Sequence, residues 1–359
     1  MKYFGGCDVG STYTKAVILD ENGKMCADTT IRSKINAEQS AIAAMQEVCD
    51  KVGLKDSKEL AYLIGTGYGR NKVPFADENI SEISCHAMGV HVTNPEVRAI
   101  IDIGADIRFR DVDVWEKWYG QKHPDAKMTH DAVYCIPEVM RDLAKGKKLI
   151  ANPGCYPTAS TLGLQPMLKA GHIVDNTIVI DAKSGYTGAG RRPALNKLLT
   201  EAENNFCAYA LGGGHRHTPE IEQNIAYITG KDLMKPETWQ YINFQPHLLP
   251  QVRGIEVTIY ATCDKDYTNE EVYEMYKEFY KDEPFVKVFP ASMPVQTKWV
   301  YGTNFCEMTP TFDARTHRLI VSSVIDNIGK GAAGQAIQNM NLIMGLPETT
   351  GLMMPPMYP

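Results

Sequence analysis

The stretch that decides the fold of this 359-residue chain is Leu149–Thr158, LIANPGCYPT. The apolar residues Leu149–Ala151 predict a strand, and a helical segment is predicted over Ala159–Ala170, after a turn that carries Cys155. The amides and the dipole at a helix N-terminus stabilise a thiolate. The pattern therefore predicts Cys155 as a nucleophile that attacks carbonyl groups. A small buried cysteine that fills a turn is the alternative.

Two histidines occur in the sequence motif GHRHTPE, at residues 214–220. Thr218 and Pro219 predict the N-cap and the first residue of a helix. A neutral imidazole near the thiol can accept its proton and later protonate an alkoxide. His217 and His215 are both candidates for this base, and a hydrogen bond from one of them to the turn is the alternative role.

Three arginines are candidates for binding the phosphate and carboxylate groups of a substrate, because a guanidinium group matches both anions with two hydrogen bonds. They are Arg108, Arg191 and Arg216. A surface position is the alternative for each of them.

From Ala105 onward the chain contains five sequence motifs in this order: ADIRF, NPGCYPT, SGYTGAGRR, GGGHRHTPEIEQ and DNIGKGAAGQ. With them, the chain from Ala105 to its C-terminus is very similar to N-acetyl-gamma-glutamyl-phosphate reductases. The resemblance implies NADP-dependent reduction of N-acetyl-glutamyl 5-phosphate to the 5-semialdehyde of arginine biosynthesis, through a cysteine thioacyl intermediate on Cys155, with His217 as the base. It also implies cofactor contacts near the nicotinamide or the phosphates at Ser184, Gly185, Gly188, Asn327, Lys330 and Gly331. A plain loop and a closely packed helix are the alternatives for these glycine-bearing stretches.

The same resemblance implies the domain order of this part of the chain. Residues 105–151 form the end of a cofactor-type domain, and residues 152–310 form an α+β substrate domain like that of glyceraldehyde-3-phosphate dehydrogenase. Residues 311–359 supply a strand and a helix that return to the first domain. Val257, Ile259 and Ala261 alternate as expected for a strand of the substrate domain.

The first 104 residues predict a different α/β unit, with the element order βββαβαβ. The pattern includes a type I′ hairpin turn at Asn22-Gly23, a helix that stops at Gly53, a helix over Glu82–Val92 and a strand over Ala99–Gly104. This order is that of one lobe of the ribonuclease-H-like, actin-type nucleotide-binding fold. The chain therefore has a half lobe of that fold in the place of a Rossmann unit.

This unit contains the sequence motifs DVGSTYTK, GTGYGR and EISCHA. With them, it resembles the activator ATPases of 2-hydroxyacyl-CoA dehydratases, the BadF/BadG-type family. The resemblance implies a remnant of an ATP motif at Asp8, Gly10, Ser11, Thr12 and Lys15, and a remnant iron–sulfur ligand at Cys85. A single lobe cannot enclose a nucleotide, and one cysteine per subunit underfills a cluster. We therefore expect no complete ATP site, no iron–sulfur site and no other metal site.

The sequence is thus chimeric, and a natural fusion, a designed chimera and an assembly error stay open. Reductases of the family open with a glycine-rich turn between a strand and a helix, which holds the NADP pyrophosphate. This opening is absent, so we expect weak NADP binding and doubtful reductase activity. The alternatives are an activator ATPase and electron donor for a dehydratase, and a catalytically silent fusion.

Composition excludes several other classes. The chain has 37 basic and 43 acidic residues, a net charge of -6, and so lacks the basic excess that nucleic-acid binding needs. No apolar run reaches the length of a membrane span. Nine cysteines without paired spacing indicate reduced thiols in a cytoplasmic protein. We expect a homo-oligomer that acts on a small molecule, with no nucleic-acid or membrane partner.

Overall fold

The computed structural model describes residues 2–10, 12–67, 69–94, 96–97, 99–189 and 198–357. The chain divides into two compact units. The first consists mainly of Met1–Arg98, and most of the remaining chain forms the second. Within the described residues, no helix is long and apolar enough to cross a membrane.

The first unit is a five-stranded sheet with the strand order β3-β2-β1-β4-β5. β1 pairs antiparallel with β2 and parallel with β4. The core lies between the sheet and α1, where Met45, Val48 and Cys49 are buried together with Ile18 and Leu63. The elements are β1 (Tyr3–Val9), β2 (Tyr13–Asp20), β3 (Met25–Arg32), α1 (Ala37–Val52), β4 (Tyr62–Thr66), β5 (Glu78–Asn79) and α2 (Glu82–Thr93).

The predicted helices of this unit are confirmed, and α1 ends at Gly53 in the left-handed conformation, with φ 77°. The prediction of a type I′ turn is wrong. Of the pair Asn22-Gly23, only Gly23 has a positive φ. The carboxylate of Asp20 accepts hydrogen bonds from the amides of Asn22 and Lys24, at 2.8 and 2.9 Å, and these bonds favour the observed turn.

The strand predicted over Ala99–Gly104 shortens to β6 (Ile100–Asp102) and does not pair within the first unit. It belongs to the second unit and lies parallel to β8 (Leu149–Ala151). The other neighbour of β8 is β7 (Val133–Tyr134), so these strands form a three-stranded parallel sheet in the order β6-β8-β7. Helices α3 (Val112–Tyr119), α4 (Ala126–Asp131) and α5 (Pro137–Ala144) lie between them in sequence.

A seven-stranded mixed sheet dominates the second unit, in the order β10-β11-β9-β12-β15-β14-β13. The predicted alternation in β12 is confirmed, since Val257, Ile259 and Ala261 are all buried. α6 packs against β12 at Gly163, where a Cβ atom would lie 2.6 Å from Ile259 Cδ1. The remaining elements are α6 (Cys155–Lys169), β9 (Val179–Ser184), α7 (Leu199–Ala202), β10 (Cys207–Ala208), α8 (His217–Ile228), β11 (Asn243–Leu248), β12 (Ile255–Thr262), α9 (Asn269–Phe279), β13 (Val286–Val288), β14 (Cys306–Asp313), β15 (Arg318–Ile325) and α10 (Gly334–Ile343).

Candidate active site

Cys155 is the first residue of α6, so the helix begins four residues before the predicted Ala159. The N-cap is Gly154, which has no side chain to cap the helix. Its backbone N–H instead donates to Oε1 of Glu220, at 2.8 Å. The turn before it is held by Asn152, which donates to the carbonyl of Ala332 at 3.1 Å and is fully buried. These bonds place the thiol at the point where β8, α6 and α8 meet.

Glu220 is the centre of the hydrogen bonds around this turn. Its carboxylate accepts from the Gly154 amide, from Tyr134 Oη at 3.0 Å and from Arg108 Nη1 at 3.2 Å. The side chain is 0% exposed, so it needs these donors. Sequence analysis missed this residue. The signal in the sequence is its spacing from Asn224, a second polar residue one turn further along α8, and the structure buries both side chains fully.

Arg108 is 7% exposed and lies beside the same turn. Its Nη2 donates to the carbonyl of Ile103 at 2.9 Å, while Nη1 binds Glu220. A Cβ on Gly154 would lie 2.9 Å from Nη1, so the guanidinium group is close to the backbone before Cys155. Arg108 therefore supplies positive charge to the site, although two of its nitrogens already have protein acceptors.

His217 also lies against Gly154, with Nε2 2.6 Å from the position of a Cβ on that glycine. The helix predicted to begin at Pro219, with Thr218 as its N-cap, begins at His217, because Arg216 already has helical dihedral angles. Burial, and then the charges of Arg108 and Arg216, lower the pKa of His217 well below its usual value. The imidazole is therefore neutral at physiological pH and able to accept a proton.

His215 has a different position. Its Nδ1 accepts a hydrogen bond from the His217 amide at 3.0 Å, and the two imidazole rings are 4.8 Å apart. Burial, followed by the charge of His217, lowers the pKa of His215 to about 3. The bond to the turn is the alternative role that the sequence left open for one of the two histidines, and it favours His217 as the base.

The thiol of Cys155 does not have the lowered pKa that its place at a helix N-terminus suggested. Burial raises the pKa to about 11, against the smaller effects of the Tyr156 amide and the charge of Arg108. The expectation of a stabilised thiolate is therefore wrong. Cys155 and His217 form a neutral thiol and imidazole at neutral pH.

This protonation state has a measurable consequence for alkylation. We expect the rate at which iodoacetamide modifies Cys155 to rise with pH up to about 11, because only the thiolate reacts. At neutral pH the folded chain should react about 100-fold more slowly at Cys155 than the chain unfolded in urea. Peptide mapping by mass spectrometry measures both rates. A rate that levels off near neutral pH would show that the thiolate is already formed.

Comparison with known proteins shows the family of this chain. The reductase "N-acetyl-gamma-glutamyl-phosphate reductase" of Desulforudis audaxviator is 50% identical over 262 residues, which cover 73% of this chain and 73% of that protein. The chain belongs to the N-acetyl-gamma-glutamyl-phosphate reductase family. The reductase of Pelotomaculum thermopropionicum is 45% identical over 305 residues, which cover 81% of this chain and 86% of that protein.

Two family models match separate parts of this reductase-family chain. The semialdehyde dehydrogenase dimerisation domain matches residues 155–327, and the BadF/BadG/BcrA/BcrD ATPase family matches residues 6–107. A solved structure, aspartate semialdehyde dehydrogenase II from Vibrio cholerae, has the same fold, with a TM-score of 0.54 at 15% identity over 85% of this chain and 96% of that chain. The chimeric character of the sequence is therefore confirmed.

Several predicted contacts of the reductase-family segment lie close together. Asn327 donates to Thr187 Oγ1 at 2.9 Å and accepts from the Gly254 amide at 2.8 Å, so it joins two loops. A Cβ on Gly188 would lie 2.9 Å from the Oγ atom of Ser184, and a Cβ on Gly185 would meet backbone atoms of residues 251–253. Gly331 lies beside the thiol, since its Cβ would be 2.7 Å from Cys155 Cβ.

The two other arginine predictions have different outcomes. Arg216 is exposed, and its guanidinium carbon lies 4.9 Å from the centre of the Tyr119 ring. Arg216 thus occupies the surface position that was its alternative. Arg191 lies outside the described residues.

Lys330, predicted to bind the cofactor, is fully buried instead. Its Nζ lies 2.5 Å from Glu138 Oε1 and 2.7 Å from Gln338 Oε1. Burial opposes the charged form of Glu138, but the charge and hydrogen bond of Lys330 outweigh it and lower the pKa of Glu138. The prediction is corrected, because this ammonium group joins the turn before α10 to α5 and does not face a ligand.

We expect Lys330→Met to lower the free energy of unfolding by about 3–5 kcal/mol, since it leaves a buried carboxylate without its partner. The matched control is Lys277→Met, which removes an exposed ion pair with Glu274 on α9 and should change stability little. Urea denaturation followed by circular dichroism measures both variants. Equal stability of the two variants would contradict a structural role for Lys330.

The described residues of the ATP-motif remnant form hydrogen bonds and an ion pair within the first unit. Asp8 forms an ion pair with Lys15, at 2.7 Å. The amide of Gly10, which would face phosphate, donates to the carbonyl of Tyr13 at 3.1 Å. Thr12 accepts from the Ser33 amide through its carbonyl, and Ser11 lies outside the described residues.

Cys85 is half-buried on α2, and burial raises the pKa of its thiol. No second cysteine accompanies it on this helix. Its assignment as an iron–sulfur ligand remnant stays a prediction.

Proposed function

We propose that the second unit of this chain transfers the acyl group of N-acetyl-glutamyl 5-phosphate to Cys155, the first half of NADP-dependent reduction to the 5-semialdehyde. The observation that carries the proposal is the convergence of Cys155, His217 and Arg108 on the Gly154 turn. Cys155 and His217 lie in the part of the chain that matches the semialdehyde dehydrogenase dimerisation domain. The name of those relatives supplies the substrate class, an acyl phosphate.

The chemistry follows from the two neutral groups. The Cys155 sulfur attacks the acyl carbon, the thiol proton passes to His217, and the C–O bond to phosphate breaks. His217 then returns the proton to the departing phosphate, so the products are a thioester and inorganic phosphate. Because the thiol pKa is high and the histidine pKa is low, this proton moves only as attack proceeds.

Glu220 and Arg108 support this step without taking the proton. Glu220 holds the Gly154 amide and so fixes the start of α6, which carries the thiol. Arg108 adds the positive charge that favours both the thiolate and the phosphate dianion. Its role as a direct substrate ligand remains part of the proposal.

The described residues that follow β1 do not fit the pyrophosphate of NADP. In the reductases that this chain resembles, a glycine-rich turn leads from the first strand to a helix, and the N-terminus of that helix holds the pyrophosphate. Here β1 is followed by β2, which pairs antiparallel with it from Val9 and Thr14 onward. The amide of Gly10 is bonded within this hairpin. We therefore propose that NADP binds weakly at most.

We also propose that the first unit is a half lobe of the actin-like fold. Its sheet order and the match to the BadF/BadG/BcrA/BcrD ATPase family support this assignment. The match to the dimerisation domain supports a homo-oligomer formed by the second unit.

His217→Asn is the variant that tests this mechanism. We expect phosphate release from the acyl phosphate to slow by about 100-fold or more, with little change in KM, because the variant lacks the proton acceptor. His215→Asn is the matched control and should have a smaller effect. Since the pKa of His217 is low, the wild-type rate should not fall as pH drops from mildly alkaline to mildly acidic. Equal losses in the two variants would contradict the assigned base.

A further inference from the structure

We propose that Asp8, Glu82 and His86 in the first unit bind a divalent transition-metal ion of the Zn²⁺ class. One carboxylate oxygen from each acid and one imidazole nitrogen all lie within 4.8 Å of one another. A zinc ion sits about 2.0–2.2 Å from such ligands, so each atom would move inward by roughly 0.7 Å. Rotation of the exposed His86 side chain and the half-buried Glu82 side chain supplies movement of this size.

The fold explains why these three residues meet. Asp8 is the last residue of β1 that pairs with the parallel strand β4, where it lies opposite Thr66. Thr66 Oγ1 donates to the carbonyl of Ile80 at 2.9 Å, and Ser81 caps α2 directly afterwards. Glu82 and His86 are one turn apart on α2, so their side chains lie on the same face of the helix. The start of the helix is thereby fixed near the end of β1.

The carboxylate of Asp8 provides an independent indication of a ligand. Its Oδ2 binds Lys15, whereas its Oδ1 is buried and has no hydrogen-bond partner among the described residues. Gly67, in the left-handed conformation at φ 84°, leaves the space beside Oδ1 open, and a Cβ there would overlap this oxygen. A buried carboxylate oxygen without a donor is costly. A cation among the three residues would satisfy it.

The donor set selects the class of ion. One imidazole with two carboxylates suits zinc and related first-row ions, whereas calcium and magnesium prefer oxygen alone and iron–sulfur clusters need thiolates. His86 is exposed, so solvent can fill a remaining coordination position. Cys85 is the neighbour of His86, but its sulfur is not among the three ligand atoms. This proposal replaces the expectation that the chain has no metal site.

Titration of the full chain with Co²⁺ and Zn²⁺ after chelator treatment tests the proposal. We expect one ion per chain with micromolar or tighter affinity, and at least tenfold weaker binding in both His86→Ala and Glu82→Gln. His130→Ala, which changes an exposed histidine of the second unit, and Cys85→Ser should bind like wild type. Circular dichroism confirms that each variant is folded.

Three outcomes would overturn the site. They are no saturable binding in the micromolar range, unchanged binding in folded His86→Ala, and loss of binding in Cys85→Ser but not in His86→Ala. The last result would assign the ion to the thiol.

Discussion

Cys155→Ser is expected to lower phosphate release from N-acetyl-glutamyl 5-phosphate by at least about 1,000-fold, because a serine hydroxyl is a far weaker nucleophile beside a neutral histidine. The position keeps its shape, so the helix start and the Gly154–Glu220 bond should persist. Stopped-flow detection of phosphate should show a burst of one equivalent per wild-type chain and none for the variant.

The control for this experiment is Cys207→Ser, since Cys207 is partly exposed in β10 of the same unit. It should keep the wild-type burst. A burst that survives in Cys155→Ser would show that another residue accepts the acyl group, and the proposed reaction would then fail.

The second large effect concerns the cofactor. We expect NADPH to bind with a Kd of about 1 mM or weaker. Each charge-assisted hydrogen bond lost at the pyrophosphate costs about 1.5–3 kcal/mol, and every 1.4 kcal/mol weakens binding about tenfold. In a dinucleotide site, a helix N-terminus after the first strand makes those hydrogen bonds. Here the described residues after β1 form a hairpin instead.

Fluorescence titration of the full chain with NADPH measures this affinity. Semialdehyde formation should be correspondingly slow even where the phosphate burst is complete. Micromolar binding together with rapid reduction of the acyl phosphate would show that the chain builds a working dinucleotide site from other residues.

Sequence patterns predicted the local elements well where one strong signal decided them. The apolar stripe of α1 and the left-handed glycine at its end are local properties, and both are observed. The alternation in β12 is equally local. Motif order also located Cys155 and His217, which meet at the same turn although more than sixty residues separate them.

Properties that depend on the surroundings could not be predicted in the same way. The place of Cys155 at a helix N-terminus predicted a low pKa for its thiol. Burial has the larger effect and raises this pKa. Lys330 has the sequence context of a phosphate ligand, yet its partner Glu138 is 192 residues away in the chain. The strand Ile100–Asp102 pairs with β8 and not with the sheet of the first unit. Local sequence could not predict this, because strand pairing is a tertiary property.

The most direct test of the central claim is to find the acyl group itself. The full chain would be incubated with N-acetyl-glutamyl 5-phosphate without NADPH, quenched in acid and digested for mass spectrometry. We expect one N-acetyl-glutamyl adduct per chain, on the peptide that contains Cys155, and its loss on treatment with hydroxylamine, which cleaves thioesters. An adduct on another cysteine, or none at Cys155 in folded chain that has released phosphate, would contradict the assignment of Cys155 as the nucleophile.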